Sequence, residues 1–164
     1  MVSFTVDRLI HLGKMAVRLS EQYMDYRRKE GIIHHILFGA LETKFGYMER
    51  EYLPAAGQDR IDFRYATSNP RVIELVVRDP LHSNQHYGSE NRSEINKLCR
   101  VSTNKARTRI LLILDASGVS QPFSKGRLKV SYDRVKSTRG NYKRYPVSVI
   151  YVHPKLDYRF TWEP

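Results

Sequence analysis

Apolar residues recur at three-to-four spacing over positions 3–19, at Val6, Leu9, Ile10, Gly13, Ala16 and Val17, and again at Ile33, Leu37, Leu41 and Phe45. That spacing lays one apolar stripe along each of two helices. Gly46 ends the second, and from there short runs alternate with turn residues: 47–53, 60–65 and 71–77, divided by Pro54-Ala55-Ala56-Gly57 and Ser68-Asn69-Pro70. This pattern predicts a three-strand meander. After the polar stretch 81–88, Ser93 is placed to cap a helix whose apolar side is Ile95, Leu98, Cys99 and Ser102. The five-residue apolar run 110–114 fits a strand buried on both faces. A helix near 125–137, a strand at 147–152 and an edge strand at 158–162 complete the order ααβββαβαβ(β), an α/β chain.

At 164 residues, the expectation is a single domain over 1–164, with an N-terminal helical segment at 1–28 and a core at 29–164. Lys and Arg number 28 against 17 Asp and Glu, a net charge of +11. With 41% hydrophobic residues, this is not the composition of a disordered basic tail. No apolar run reaches the 18 or so residues of a membrane span, and the first residues carry charge where a secretory signal would be apolar throughout. The sequence therefore reads as a soluble, cytoplasmic protein with no membrane partner. Cys99, the lone cysteine, excludes an internal disulfide and a cysteine-cluster zinc site. His34 and His35 are adjacent, so one helix face does not offer both imidazoles to a metal, and both read as helix surface.

The positive charge is concentrated. Lys125, Arg127, Lys129, Arg134, Lys136, Arg139, Lys143 and Arg144 face one acid, Asp133, and Tyr132, Tyr142 and Tyr145 are interleaved among them. A basic stretch with aromatics suits a phosphate backbone, and nucleic acid, DNA first, is the partner it suggests. A solvated helix and loop with no ligand would look the same.

The third strand reads Val72-Ile73-Glu74-Leu75-Val76-Val77, with a carboxylate in the middle of an apolar run. A buried carboxylate is costly unless it meets a cation or a donor, or is protonated. The preceding strand carries Asp62 between Ile61 and Phe63. If the two strands pair around the Ser-Asn-Pro turn, Asp62 and Glu74 converge at one end of the sheet as a candidate site for a hard divalent cation. Each acid also has a plain reading. Asp62 can pair with Arg60 or Arg64, Glu74 can form a structural ion pair, Glu30 suits the start of a helix, and Glu51, sharing a strand face with Glu49, reads as solvated.

Taken together, Glu30 on a helix, Glu51 on a strand, Arg60-Ile61-Asp62-Phe63, Val72-Ile73-Glu74-Leu75-Val76, a further helix and the apolar strand 110–114 resemble the PD-(D/E)xK nuclease superfamily over about 29–116. The resemblance implies a restriction-endonuclease-like fold, a mixed central sheet flanked by helices. It implies that Asp62 and Glu74 bind magnesium or manganese, that the Leu75 carbonyl is a further ligand, and that Glu30 reaches the site as a third catalytic acid. The family's lysine falls at Val76, which cannot assist a water. Its replacement has three candidates, Lys97, Arg64 and Arg78. Helical spacing turns Lys97 away from the Ile95, Leu98, Cys99 stripe and towards solvent, which leaves Arg64 and Arg78 better placed. Two functions stay open, a metal-dependent DNA phosphodiesterase, and an inactive nuclease-like module that binds DNA or a protein partner, with a homodimer also open.

Overall fold

Both helical stripes are realised in the structure, a computed structural model that describes residues 3–23, 29–81, 84–118, 121–135 and 143–164. In α1 (Val6–Ser20) the Thr5 hydroxyl accepts from the Arg8 N–H and starts the helix. In α2 (Lys29–Phe45), Ile33, Leu37, Leu41 and Phe45 are fully buried. Gly46 then takes a φ of 88°, a left-handed backbone that glycine adopts without strain, and its N–H closes on Glu42. The meander follows as β1 (Met48–Tyr52), β2 (Ile61–Tyr65) and β3 (Arg71–Arg78), antiparallel throughout. Next come α3 (Arg92–Cys99), β4 (Thr108–Asp115), α4 (Lys125–Asp133), β5 (Val147–His153) and β6 (Leu156–Trp162).

The six strands form one mixed sheet in sequence order, with β3, β4 and β5 parallel and β6 turning back antiparallel. Parallel strands need crossovers, and α3 and α4 supply them. Side chains of the central strands alternate between two apolar layers. Ile73, Leu75, Val77, Ile110, Leu112 and Leu114 pack with α1 and α2. Val72, Val76, Leu111 and Ile113 pack with Ile95, Leu98 and Cys99 of α3 and Leu128 and Tyr132 of α4. Burial on both faces explains why these strands read as unbroken apolar runs. The chain is thus α/β with a mixed sheet flanked by helices, and among the described residues no helix is long and apolar enough to cross a membrane.

Local departures from the expected pattern have specific causes. Ser93 lies inside α3, where its hydroxyl donates to Glu94, and Asn91 holds the cap position. Asn91 turns its amide to the Tyr132 hydroxyl (2.8 Å) and the Gln85 carbonyl, so it ties α3 to α4. Ser102 lies past α3 in a turn, bonded to Asn104. Tyr132, expected to stack on a ligand, is fully buried, and its carbonyl accepts from the Trp162 indole. α4 ends at Asp133 rather than near 137, and Lys136, Arg139 and Tyr142 lie outside the described residues.

The segment leading into α3 is held against α4 at Gly88. Its N–H donates to Ser131 Oγ at 2.7 Å, and a Cβ there would meet the Ser131 carbonyl and the Tyr132 Cα at 2.8 Å. Because those neighbours are backbone, they cannot swing aside. Gly88→Ala should therefore cost about 1–3 kcal/mol, the usual range for overpacking, read as a lower urea midpoint. An unchanged midpoint would mean that this contact does not fix the segment.

Candidate active site between two strands

The hydrogen-bond ladder of β2 and β3 stops short. Tyr65 pairs with Arg71, Arg64 with Val72 and Phe63 with Ile73, and beyond this the strands part. Two side chains take over the backbone's bonds. Leu75 N–H donates to Asp62 Oδ2 at 2.7 Å, and Asp62 N–H donates to Glu74 Oε2 at 3.3 Å. Each carboxylate thus satisfies a backbone donor that the ladder left open. This places Asp62 and Glu74 side by side, and with them the Leu75 backbone.

The cation beside them is Lys97. Its ammonium lies 2.5 Å from Glu74 Oε1, with 18% of the side chain exposed and 5% of the Glu74 side chain. The expectation that Lys97 faces solvent fails for a geometric reason. Helical spacing does rotate its Cα off the apolar stripe, but α3 lies on the sheet face to which Glu74 points, and a four-carbon stem reaches back over that distance. Arg64 and Arg78 are engaged elsewhere. Arg64 donates to Glu49 at 2.8 Å. Arg78 donates to Asp115 at 2.7 Å and to Ser117, in a buried network that Tyr151 joins through its hydroxyl.

A cavity of about 250 Å³ opens over the pair, lined in part by Glu30, Asp62, Glu74, Leu75, Val76, Glu90 and Glu94. Five of these seven are acids, and Val76, at the family's lysine position, forms part of the wall. Glu30, in the first turn of α2, also borders a second, wider groove. In that groove His34, Glu51 and Asp62 each offer a donor atom within 4.8 Å of the others. His34 Nε2 is 3.6 Å from Asp62 Oδ1, and Nδ1 accepts from Arg50, since a guanidinium can only donate. Glu51 reaches this cluster through a backbone φ of 51°, uncommon for a residue other than glycine. His34 and Glu51 therefore stand at the site although spacing alone assigned both to the surface. One signal for His34 was present: it follows Glu30 by four positions, on the same helical face.

Among the described residues, none of the predicted phosphate-binding residues lines the acidic cavity. Lys125, Arg127 and Lys129 are exposed on α4, Arg134 is exposed at its C-cap, and Lys129 pairs with Asp133. Lys143 is exposed near the Tyr145 ring, Arg144 is half-buried, and Tyr145 packs under Arg109. Comparison with known proteins finds no family model, no curated protein and no solved structure that matches the chain. What the site does has to be read from its own geometry.

Burial, and then the neighbouring charge of Asp62, push the Glu74 carboxyl up from 4.5 to about 7, against the opposing pull of Lys97. Burial alone would depress Lys97, but its bond to Glu74 and the charges of Glu74, Asp62 and Glu94 hold it above its ordinary value. A carboxyl raised on folding binds its proton more tightly in the folded state. Its contribution to stability is full below its unfolded pKa and is lost as pH rises through the folded value. Without added metal, the melting temperature should thus carry a component that falls from pH 4.5 to about 7, and Glu74→Gln should remove it. An identical pH profile in the variant would show that Glu74 does not titrate there.

Proposed function

We propose that the chain is a metal-dependent phosphodiesterase of the PD-(D/E)xK kind acting on DNA, in which Lys97 on α3 takes the part of the lysine that β3 lacks. The observation that carries this reading is the Lys97 ammonium at 2.5 Å from Glu74, where Asp62 bridges the two strands past the end of their ladder. Val76 follows Glu74 by two, on the same sheet face, and lines the cavity. A lysine at 76 or at 97 would therefore approach one point from the strand or from the helix.

The donor set suits a divalent cation. Five carboxylates around a small cavity would repel a phosphate unless a cation offset them. Asp62, Glu74 and the Leu75 carbonyl are hard oxygen donors of the type magnesium and manganese take. His34 and Glu51 extend the set on the other side of Asp62, and an imidazole favours a transition metal over magnesium. A bound cation would supply positive charge to the phosphate oxygens and to the attacking water. Asp62 and Glu74 would hold it, with Asp62 fixed in orientation by the Leu75 N–H. Lys97 would place its charge against the phosphate as the P–O bond breaks.

The test is a transfer of the lysine. Wild type should cleave DNA in manganese, Asp62→Ala should abolish cleavage, and Lys97→Ala should lose about a hundredfold or more, as for a group acting in the transition state. Val76→Lys added to Lys97→Ala should regain part of that loss. Full activity without Lys97 would remove its role. Inactivity of the folded wild type across metals and DNA forms would leave the non-catalytic module.

Metal can also be read from stability. Manganese should raise the melting temperature of wild type and leave Asp62→Ala unmoved. His34→Ala should narrow the difference between manganese and magnesium, and an unchanged difference would place the imidazole outside the donor set.

A further inference from the structure

The segment that walls the acidic cavity has a second side. Gln85, Glu90, Asn91 and Glu94 face the cavity, while Tyr87, Ser89 and Arg92 face a groove of about 580 Å³ whose opposite wall is α4. α4 contributes Arg127 and Val130 to it, and its C-cap residue adds Arg134. The groove thus lies one residue away from the acidic cavity along the chain, at the step from Asn91 to Arg92.

Its charge is of one sign. Arg92, Arg127 and Arg134 are all exposed, and none forms an ion pair among the described residues. The one acid of α4, Asp133, is held by Lys129. Between the arginines the lining is apolar, with half-buried Tyr87 and half-exposed Val130. The walls are also fixed to each other, by Gly88 N–H on Ser131 and by Asn91 on Tyr132. Phe123, just before α4, packs edge-on against Tyr87 at 5.2 Å.

We infer that this groove binds a single-stranded nucleic-acid arm next to the scissile position, with phosphates on Arg92, Arg127 and Arg134 and a base against Tyr87 and Val130. The inference rests on the nuclease reading for the word scissile, but the binding itself needs no catalysis. Three guanidiniums around an apolar floor match a polymer that alternates anionic phosphates with flat apolar faces. The volume is of the size that small-molecule sites use. A duplex keeps its bases stacked inside and could offer this floor only its backbone. The preferred substrate would therefore be DNA with an overhang, flap or gap.

The experiment is fluorescence anisotropy in EDTA, where nothing is cleaved, with fluorescein-labelled hairpin duplexes that are blunt or carry a six-nucleotide overhang of either polarity. Wild type should prefer one overhang over the blunt form by tenfold or more. The combined change Arg92→Ala, Arg127→Ala, Arg134→Ala should reduce that preference to below threefold. Because single strands lose affinity with a salt slope of about 0.7 per phosphate contact, its overhang slope should be shallower by about 2. Tyr87→Ala and Val130→Ser, made singly, should lower the preference without altering the charge of the groove. Melting curves for each variant confirm that a folded chain is compared.

No preference in wild type, or a preference the folded triple variant keeps, overturns the inference. Displacement of the oligonucleotide by polyglutamate as readily as by oligo-dT would mean that the groove takes any acidic polymer, a protein included, and would overturn it as well. Cleavage in manganese separates the two readings. Overhang binding without cleavage keeps the groove and removes the enzyme, and cleavage with no overhang preference does the reverse.

Discussion

The site exists because two strands stop pairing one residue too early for their backbones to be satisfied. Past Phe63 and Ile73 the ladder between β2 and β3 ends, yet the next groups lie in a buried sheet where an unmade hydrogen bond costs on the order of 1–3 kcal/mol. Asp62 and Glu74 close that gap reciprocally, each accepting from the other strand's backbone. A carboxylate pair built this way is also a structural clamp. Its carboxylates are positioned by the requirement that the sheet end cleanly, before any ligand is present.

A negative charge held in such a place needs compensation, and the surrounding layers decide where it can come from. β3 is covered on one face by α1 and α2 and on the other by α3 and α4. Glu74 points to the second face, so a cation has to come from the helix that crosses there. Lys97 does. The buried arginine of the same strand, Arg78, lies at its far end, where Asp115, Ser117 and Tyr151 enclose it. Hydrogen bonds from Ser117, Tyr151 and Arg78 outweigh the effect of burial and hold the Asp115 carboxyl below its usual range. The sheet thus keeps two charged centres, one enclosed and one beside a cavity.

Much of the scaffold was legible because its signals are local. The stripe Ile33, Leu37, Leu41, Phe45, the stop at Gly46, the turn at Ser68-Asn69-Pro70 and the run 110–114 each depend on a few adjacent residues. Glu74 stood out for the same reason, as a carboxylate in an apolar strand. What the pattern did not carry were contacts set by which face a neighbouring helix covers. Lys97 was misplaced because periodicity gives the direction of a Cα and not the reach of its side chain. Arg64 was misassigned because register, not strand alternation, puts it opposite Glu49. Tyr132 looked like a stacking residue because charge on either side says nothing about burial of the residue between.

Glu51 joins the cluster with His34 and Asp62 only because its backbone turns left-handed within a strand. That turn has an effect unconnected with ligands. β1 is one of the two free margins of the sheet, and an open margin invites another chain to add a strand. Arg50 and Tyr52 keep their partners on β2 while Glu51 between them does not, so the row of donors and acceptors facing outward is broken at Glu51. A break of this kind blunts an edge against regular strand addition. The residue that swings an acid into the groove thus also interrupts the regular edge that strand addition needs.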